Sequence, residues 1–194
     1  MGMPGGKPTT ADVLSMRQAR AMISYLRDHD NLRDAALVGI AAGYGLRLGD
    51  AVGLTWRAVL DDVGGIRGSV QVTEEKTGNQ RVLLTMPFVA TILAEWKEAC
   101  GKIDLDAPVV PVSKVTGWRI VKRAAAGMGM KGNVSPHSLR KAFCDFAYHQ
   151  TNDPVLTCDI TGHKNPAQLL AYIGRDREAV ADVWARMTAA SKKM

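Results

Sequence analysis

The chain has little of what marks several protein classes. Among its 194 residues are three cysteines, Cys100, Cys144 and Cys158, with no C-x-x-C pair. An odd, scattered set of thiols argues against a disulfide framework or a zinc ribbon and suits a reducing compartment, where all three read as small buried hydrophobes. The longest nearly unbroken apolar run, Ala35 to Leu46, is too short to span a bilayer. The opening Met1-Gly2-Met3-Pro4-Gly5-Gly6 has none of the apolar stretch of a secretory leader. These absences argue against a membrane or secreted protein, and the expected location is the cytoplasm. A phosphate-cradling P-loop and H-E-x-x-H spacing are also missing, so no cofactor and no metal site is expected.

Acid is missing from one place in particular. Between Ala107 and Cys144 stand seven cations (Lys114, Arg119, Lys122, Arg123, Lys131, Arg140 and Lys141) and no Asp or Glu. The rest of the chain holds 18 cations and 19 acids, so the whole excess behind the formal charge of +6 lies in this stretch. A solvated face is the ordinary outcome of a charge run, but such asymmetry is also what a surface facing a polyanion requires.

With 46% hydrophobic and 23% charged residues, the length fits one globular domain. Residues 1–12, rich in Gly, Pro and Thr, read as a linker or flexible tail, and residues 13–194 as the domain. Ser15-x-x-Gln18 is a capping-box pattern opening an amphipathic stripe of Ala19, Met22, Ile23 and Leu26. Helices are expected from Leu32 to Tyr44 and from Leu48 to Leu54. Residues 57–86 change to short β-prone runs punctuated by Gly64-Gly65, Gly68 and Gly78-Asn79. They predict a small three-stranded antiparallel sheet whose last turn is Lys76-Thr77-Gly78-Asn79. Further helices are expected after Pro87, from Ser113 to Ala126, and after Ser135-Pro136, Asp153-Pro154 and Asn165-Pro166. A last one should run from Arg177 to Met187 with a Val180, Val183, Trp184 and Met187 stripe. The fold class is therefore mainly α, an α+β domain with one small sheet.

Several polar residues stand out against this frame. His137 and Arg140 lie at i, i+3 in the first turn of their helix, where a guanidinium fork beside an imidazole suits an oxyanion. Gly162-His163 is followed nine residues later by Tyr172. Arg47 sits between two helices with Asp50 one turn on, and Lys76 sits at the hairpin turn. Each has an ordinary reading: a helix-start histidine, a capped histidine, a half-buried tyrosine, a surface Arg47–Asp50 pair, a solvated turn lysine.

Taken together, Gly45-Leu46-Arg47-x-x-Asp50, Lys76-Thr77-Gly78, His137-x-Leu139-Arg140 and Gly162-His163-x8-Tyr172 resemble the tyrosine recombinase (phage integrase) family. The match runs from about residue 14 to 190 and fills all six polar positions. Thr161 departs from it, standing where the family often has Leu. The resemblance implies a helical catalytic domain that cleaves and rejoins DNA through a 3′-phosphotyrosine, without metal or ATP, in integration or recombination on a phage or mobile element. It implies Tyr172 as nucleophile, Arg47 and Arg140 as clamps on the non-bridging oxygens, and His163 as a further donor. Lys76 becomes the proton donor to the leaving 5′ oxygen, His137 a base or acid towards the tyrosine, and Asp50 the residue that orients Arg47. The implied partner is double-stranded DNA, held by a homo-tetramer that is monomeric when free, with Lys114, Arg119, Lys122, Arg123, Lys131 and Lys141 as candidate DNA contacts. The family's usual N-terminal DNA-binding domain is not expected here, and the last helix is left to pack on its own domain or on a neighbour. A type IB topoisomerase or a DNA-binding regulator without cleavage activity are the alternatives.

Overall fold

Ser15 starts the first helix. Its hydroxyl accepts from the Gln18 amide while the Gln18 side chain accepts from the Ser15 amide, satisfying two helix-end donors reciprocally. The computed structural model describes residues 11–76, 78–174, 184 and 187–189. In chain order the helices are α1 (Met16–Asp28), α2 (Leu32–Gly43), α3 (Leu48–Gly53) and a single turn α4 (Trp56–Val59). Strands β1 (Ser69–Thr73) and β2 (Gln80–Leu84) follow. Then come α5 (Pro87–Cys100), α6 (Lys114–Gly127), α7 (Pro136–Thr151), α8 (Pro154–Thr161) and α9 (Pro166–Tyr172).

Beyond Arg33 and Asp34 helix α2 is apolar on all sides, and it is buried from Asp34 to Gly43. A helix without a polar face belongs in the middle of a core, and α1, α5, α6 and α7 pack around it. The stripe of α1, Ala19, Met22, Ile23 and Leu26, is buried as its spacing demands. A second, smaller cluster of Phe143, Cys144, Cys158, Leu169 and Ile173 lies where α8 packs on α7 and α9 on α8, with Tyr172 at its margin.

The sheet is smaller than the sequence suggests. β1 and β2 pair antiparallel from Ser69↔Leu84 to Thr73↔Gln80, and these two strands are the whole sheet among the described residues. The expected third strand is replaced by the α4 turn and an isolated Leu60↔Ile66 bridge. The reason is where its backbone bonds go: the Trp56 amide donates to the Ala107 carbonyl and the Arg57 amide to Leu105, not to β1. At the other boundary, residues 11 and 12 are tied down rather than loose. Lys141 Nζ donates to the Ala11 carbonyl at 2.7 Å, and the Asn133 amide to Asp12 at 2.7 Å. The rest of the expected tail, residues 1–10, and most of the expected last helix lie outside the described residues. Within that helix Trp184 and Met187 are exposed. Among the described residues no helix is long and apolar enough to cross a membrane, and no three His, Cys, Asp or Glu side chains group as metal ligands.

Candidate active site

The chain leaves α2 through Gly45, whose φ of +61° and position against Phe143 both require glycine: a Cβ would collide with the aromatic ring. That turn points the Gly45 carbonyl at Arg140, whose Nη1 donates to it at 2.6 Å. Arg140 rises from the first turn of α7, set by the Ser135 cap and Pro136, and its Nη2 donates to the Thr161 carbonyl at 3.1 Å. Two residues after Gly45, Arg47 caps α3 in extended conformation. Its Nη1 donates to Glu74 Oε2 at 2.6 Å. The other oxygen of Glu74 accepts from Arg81 Nη1 at 2.9 Å and lies 3.7 Å from Arg140 Nη1. One carboxylate that is 1% exposed thus faces three guanidinium groups. Arg81 also donates to the Ile160 carbonyl at 2.5 Å, and burial pulls its guanidinium below its ordinary value.

The second half of the site comes from α8 and α9. Gly162 ends α8 at φ +72°, with its α-carbon so close to Arg81 that a Cβ would sit 3.0–3.2 Å from the guanidinium arm. This delivers His163 beside Tyr172, the last residue of α9, with ring centroids 5.3 Å apart. The Tyr172 hydroxyl donates to the His137 carbonyl at 3.4 Å, and Lys141 Nζ lies 5.3 Å over the Tyr172 ring. Thr161 orients His163. Its hydroxyl donates to the Thr157 carbonyl at 2.8 Å, so towards His163 Nδ1, 2.7 Å away, it is left to accept. The proton therefore sits on Nδ1 and the lone pair on Nε2. Burial and the charges of Arg140, Arg47 and Arg81 hold His163 neutral, with its pKa lowered to about 4. His137 is lowered for the same reasons, burial first and then Arg140, Arg47, Lys141 and Lys76. Burial raises the Tyr172 phenol, opposed by Arg140 and Arg47.

Five of the six residues singled out in the sequence, Arg47, His137, Arg140, His163 and Tyr172, are joined by contacts or shared partners. Arg47, His137 and Arg140 also line one cavity of about 100 Å³ with Leu48, Pro136 and Trp118, room for about three waters' worth of liquid volume. Lys76 stands exposed at the hairpin turn, near enough for its charge to depress His137. The expectation for Asp50 is corrected. Arg47 is held by Glu74 instead, and Asp50 Oδ1 accepts from the Glu75 amide at 2.9 Å, anchoring the hairpin next to Lys76. Of the basic residues, Lys114 pairs with Glu75 at 2.7 Å, Lys122 donates to Asn133 at 3.0 Å, and Arg123 lies 3.8 Å from Asp34. Lys141 is taken up by Ala11, while Arg119 and Lys131 are exposed.

Three residues escaped the sequence reading. Trp118 is a half-exposed indole between the small cavity and the basic face of α6, with Lys122 Nζ 5.5 Å from its ring. Glu74 and Arg81 carried a signal that was available. Val70 and Val72 face inward on β1, so Glu74 continues the inward parity, and Arg81 shares the parity of inward Leu83 on β2. A charged residue on the buried face of both arms marks a buried pair.

The profile of the phage integrase family matches residues 12–178. The chain belongs to the phage integrase family. Relatives include the tyrosine recombinase XerD of Corynebacterium glutamicum, 25% identical over 187 residues, covering 89% of this chain and 60% of that one. XerD of Neisseria meningitidis serogroup A is 30% identical over 166 residues, covering 79% of this chain and 52% of the other. The chain thus spans between half and two thirds of the length of these relatives. Among solved structures, XerA recombinase superposes with a TM-score of 0.71 at 20% identity, over 96% of this chain and 66% of that chain. The catalytic core of lambda integrase gives 0.61 at 19% identity, over 78% of this chain and 91% of the core. The fold described above, helices packed around α2 with one small hairpin sheet, is thus the fold of phage integrase catalytic domains.

Proposed function

We propose that this chain is the catalytic domain of a site-specific DNA recombinase that breaks and rejoins strands through Tyr172. What supports the reading most is the arrangement of Tyr172: within one chain it lies against His137 and His163, and the charges of Arg140 and Arg47 act on its phenol. The phenol oxygen attacks the scissile phosphorus, the bond from phosphorus to the 5′ oxygen breaks, and a 3′-phosphotyrosine and a free 5′-hydroxyl result. A buried phenol needs a proton acceptor and positive charge beside it. The Nε2 lone pair of His163 faces this need, since the ring is neutral at pH 7 and adjacent to Tyr172. Having taken the phenolic proton, the imidazolium can donate it in a hydrogen bond to a non-bridging oxygen, the role the resemblance gave to His163. His137, pushed below its ordinary value by burial and the neighbouring cations, is the second acceptor. Arg47 and Arg140 hold the charge that builds on the equatorial oxygens, and Lys76 protonates the leaving 5′ oxygen. The phosphodiester energy is kept in the covalent link, so religation needs no ATP.

Double-stranded DNA is the proposed substrate, with four copies of the chain assembling on it. XerD is named a recombinase, and lambda integrase has been crystallised as a tetramer on a Holliday junction. The exposed Arg119, Lys131 and Trp118 are proposed as contacts to the duplex. Incubation with a nicked suicide substrate tests the reading. The expected result is a covalent protein–DNA adduct that disappears in Tyr172→Phe while DNA affinity stays nearly the same. An adduct that survives Tyr172→Phe refutes the nucleophile, and its absence from the wild-type chain across substrates refutes the enzyme. Strand transfer between duplexes, as opposed to relaxation of supercoils alone, separates a recombinase from a type IB topoisomerase.

A further inference from the structure

Glu74 and Arg81 have no role in the chemistry described above, yet they occupy its centre. Glu74 is tethered to Arg47 at 2.6 Å and to Arg81 at 2.9 Å, and its carboxylate lies 3.7 Å from Arg140. The side chains of Glu74, Arg81 and Arg140 are 1%, 8% and 4% exposed, while that of Arg47 is 28% exposed. Three buried or half-buried guanidinium groups without a counter-charge would repel one another and seek water. With Glu74 among them the cluster keeps a net positive charge, smaller than the arginines alone would give and fixed in direction. Glu74 sits beneath, almost wholly out of solvent, so it does not compete for the outward face of Arg47, where the small cavity opens. Arg81 extends the same cluster to the other half of the site. It reaches from β2 to the Ile160 carbonyl and packs on Gly162, immediately before His163.

Building on the recombinase reading, we infer that Glu74 and Arg81 are positioning residues that aim Arg47 and Arg140 at the scissile phosphate and lock His163 to the hairpin carrying Lys76. Glu74 fixes one nitrogen of Arg47, which leaves the remaining guanidinium donors a single orientation. Arg140 is fixed on two nitrogens by the Gly45 and Thr161 carbonyls and feels Glu74 as the nearest negative charge. Preorganised donors matter when charge develops on the phosphoryl oxygens, and much less for ground-state DNA binding.

Glu74→Gln keeps the shape and removes the charge, and it is compared with the wild-type chain on two suicide substrates. One carries the ordinary scissile phosphodiester; the other carries a methylphosphonate there, with a methyl group in place of one charged oxygen. On the phosphodiester, Glu74→Gln should slow first-turnover cleavage by about 10–100-fold at saturating DNA, with little change in Kd. On the methylphosphonate, where the clamp has less charge to hold, the two proteins should differ by no more than about threefold. An equal loss on both substrates would mean that Glu74 only supports the fold. Cleavage as fast as, or faster than, wild type on the phosphodiester would mean that it competes with the phosphate. Either result overturns the inference while leaving the recombinase reading intact, because the wild-type chain is active in both cases. A wild-type chain that forms no adduct on either substrate ends both. Should Glu74→Gln alone fail to fold, Glu74→Gln with Arg81→Gln removes the opposite charges together, and the same substrate-selective loss is expected of it.

Discussion

The two halves of the site are built on different foundations. The arginine half, Arg47, Arg140, Glu74 and Arg81, proposed to hold the phosphate, is anchored in the main core: Arg140 bonds to the turn that follows the buried α2, and Glu74 and Arg81 sit on the inward face of the hairpin. The half that carries the proposed nucleophile, His163 and Tyr172, rests on a cluster of five buried side chains under two short helices. Arginines that must meet a phosphate in one geometry gain from rigidity, because misaimed charge stabilises nothing. On the recombinase reading, a tyrosine that must reach phosphorus, become covalently attached and later be released gains from a lighter attachment, and low-stability segments are where such movement is found. The bridges between the halves are few and identifiable: Arg81 to Ile160, Arg140 to Thr161, and Tyr172 to His137.

Arg140→Ala should show the largest effect, because it cuts into both halves at once. It removes the proposed clamp on the phosphate and releases the Gly45 and Thr161 carbonyls together. Loss of one preorganised donor costs about 2.7–4 kcal/mol in the transition state, so single-turnover cleavage should fall by about 10²–10³-fold. A loss confined to Kd would show that Arg140 binds DNA without acting on the reacting phosphate.

Leu169→Ala attacks the lighter half alone. Leu169, on α9, is fully buried in the cluster with Phe143, Cys144 and Cys158, and truncating such a leucine costs about 2–5 kcal/mol. Hydrogen exchange should quicken in α8 and α9 while α1 and α2 keep their protection, and adduct formation should slow with DNA affinity retained. Uniform loss of protection through the chain would show that the two clusters unfold as one unit and that the distinction drawn above is false.

What could be read beforehand follows the same division. The helices announced themselves through caps and stripes: Ser15 with Gln18, Ser113, Asp153 and Asn165 all act as N-caps through their side chains. The site candidates were legible as a set, through the resemblance carried by Gly45-Leu46-Arg47, Lys76-Thr77-Gly78, His137-x-Leu139-Arg140 and Gly162-His163-x8-Tyr172, while each alone had an ordinary reading. Glu74 was not, because its partners lie 27 positions before it and 7 after it, and within Thr73-Glu74-Glu75-Lys76 it looks like part of a solvated turn. Only the alternation of the strand betrays it. The third strand failed for a related reason. β-prone residues mark a segment that can pair, but the partner is chosen by distant backbone, here the loop at 105–107. The resemblance gave Asp50 the task of orienting Arg47, whereas the fold brings the Glu74 carboxylate from the hairpin against that guanidinium.

The smallest effect concerns pH, and it probes the seam between the halves. His163 is neutral in the fold because burial and three arginines hold its pKa near about 4. An unfolded histidine titrates near its ordinary value of about 6.5. As pH falls between these values the unfolded chain takes up a proton that the folded chain refuses, so this histidine draws stability away as the medium is acidified from about 6.5 towards about 4. The ring is partly open to solvent, and screening brings the expected loss to about 1 kcal/mol. His137 acts in the same direction. Because carboxylates titrate at the acid end too, the informative quantity is the difference between wild type and His163→Gln in melting temperature from pH 7 to pH 4. The variant should show the shallower decline. A DNA phosphate beside the imidazoles would favour their charged forms and flatten the wild-type curve, so the gap should narrow when duplex is bound. A gap that is pH-independent would mean that His163 does not feel the arginines, and that the clamp and the nucleophile are electrostatically separate.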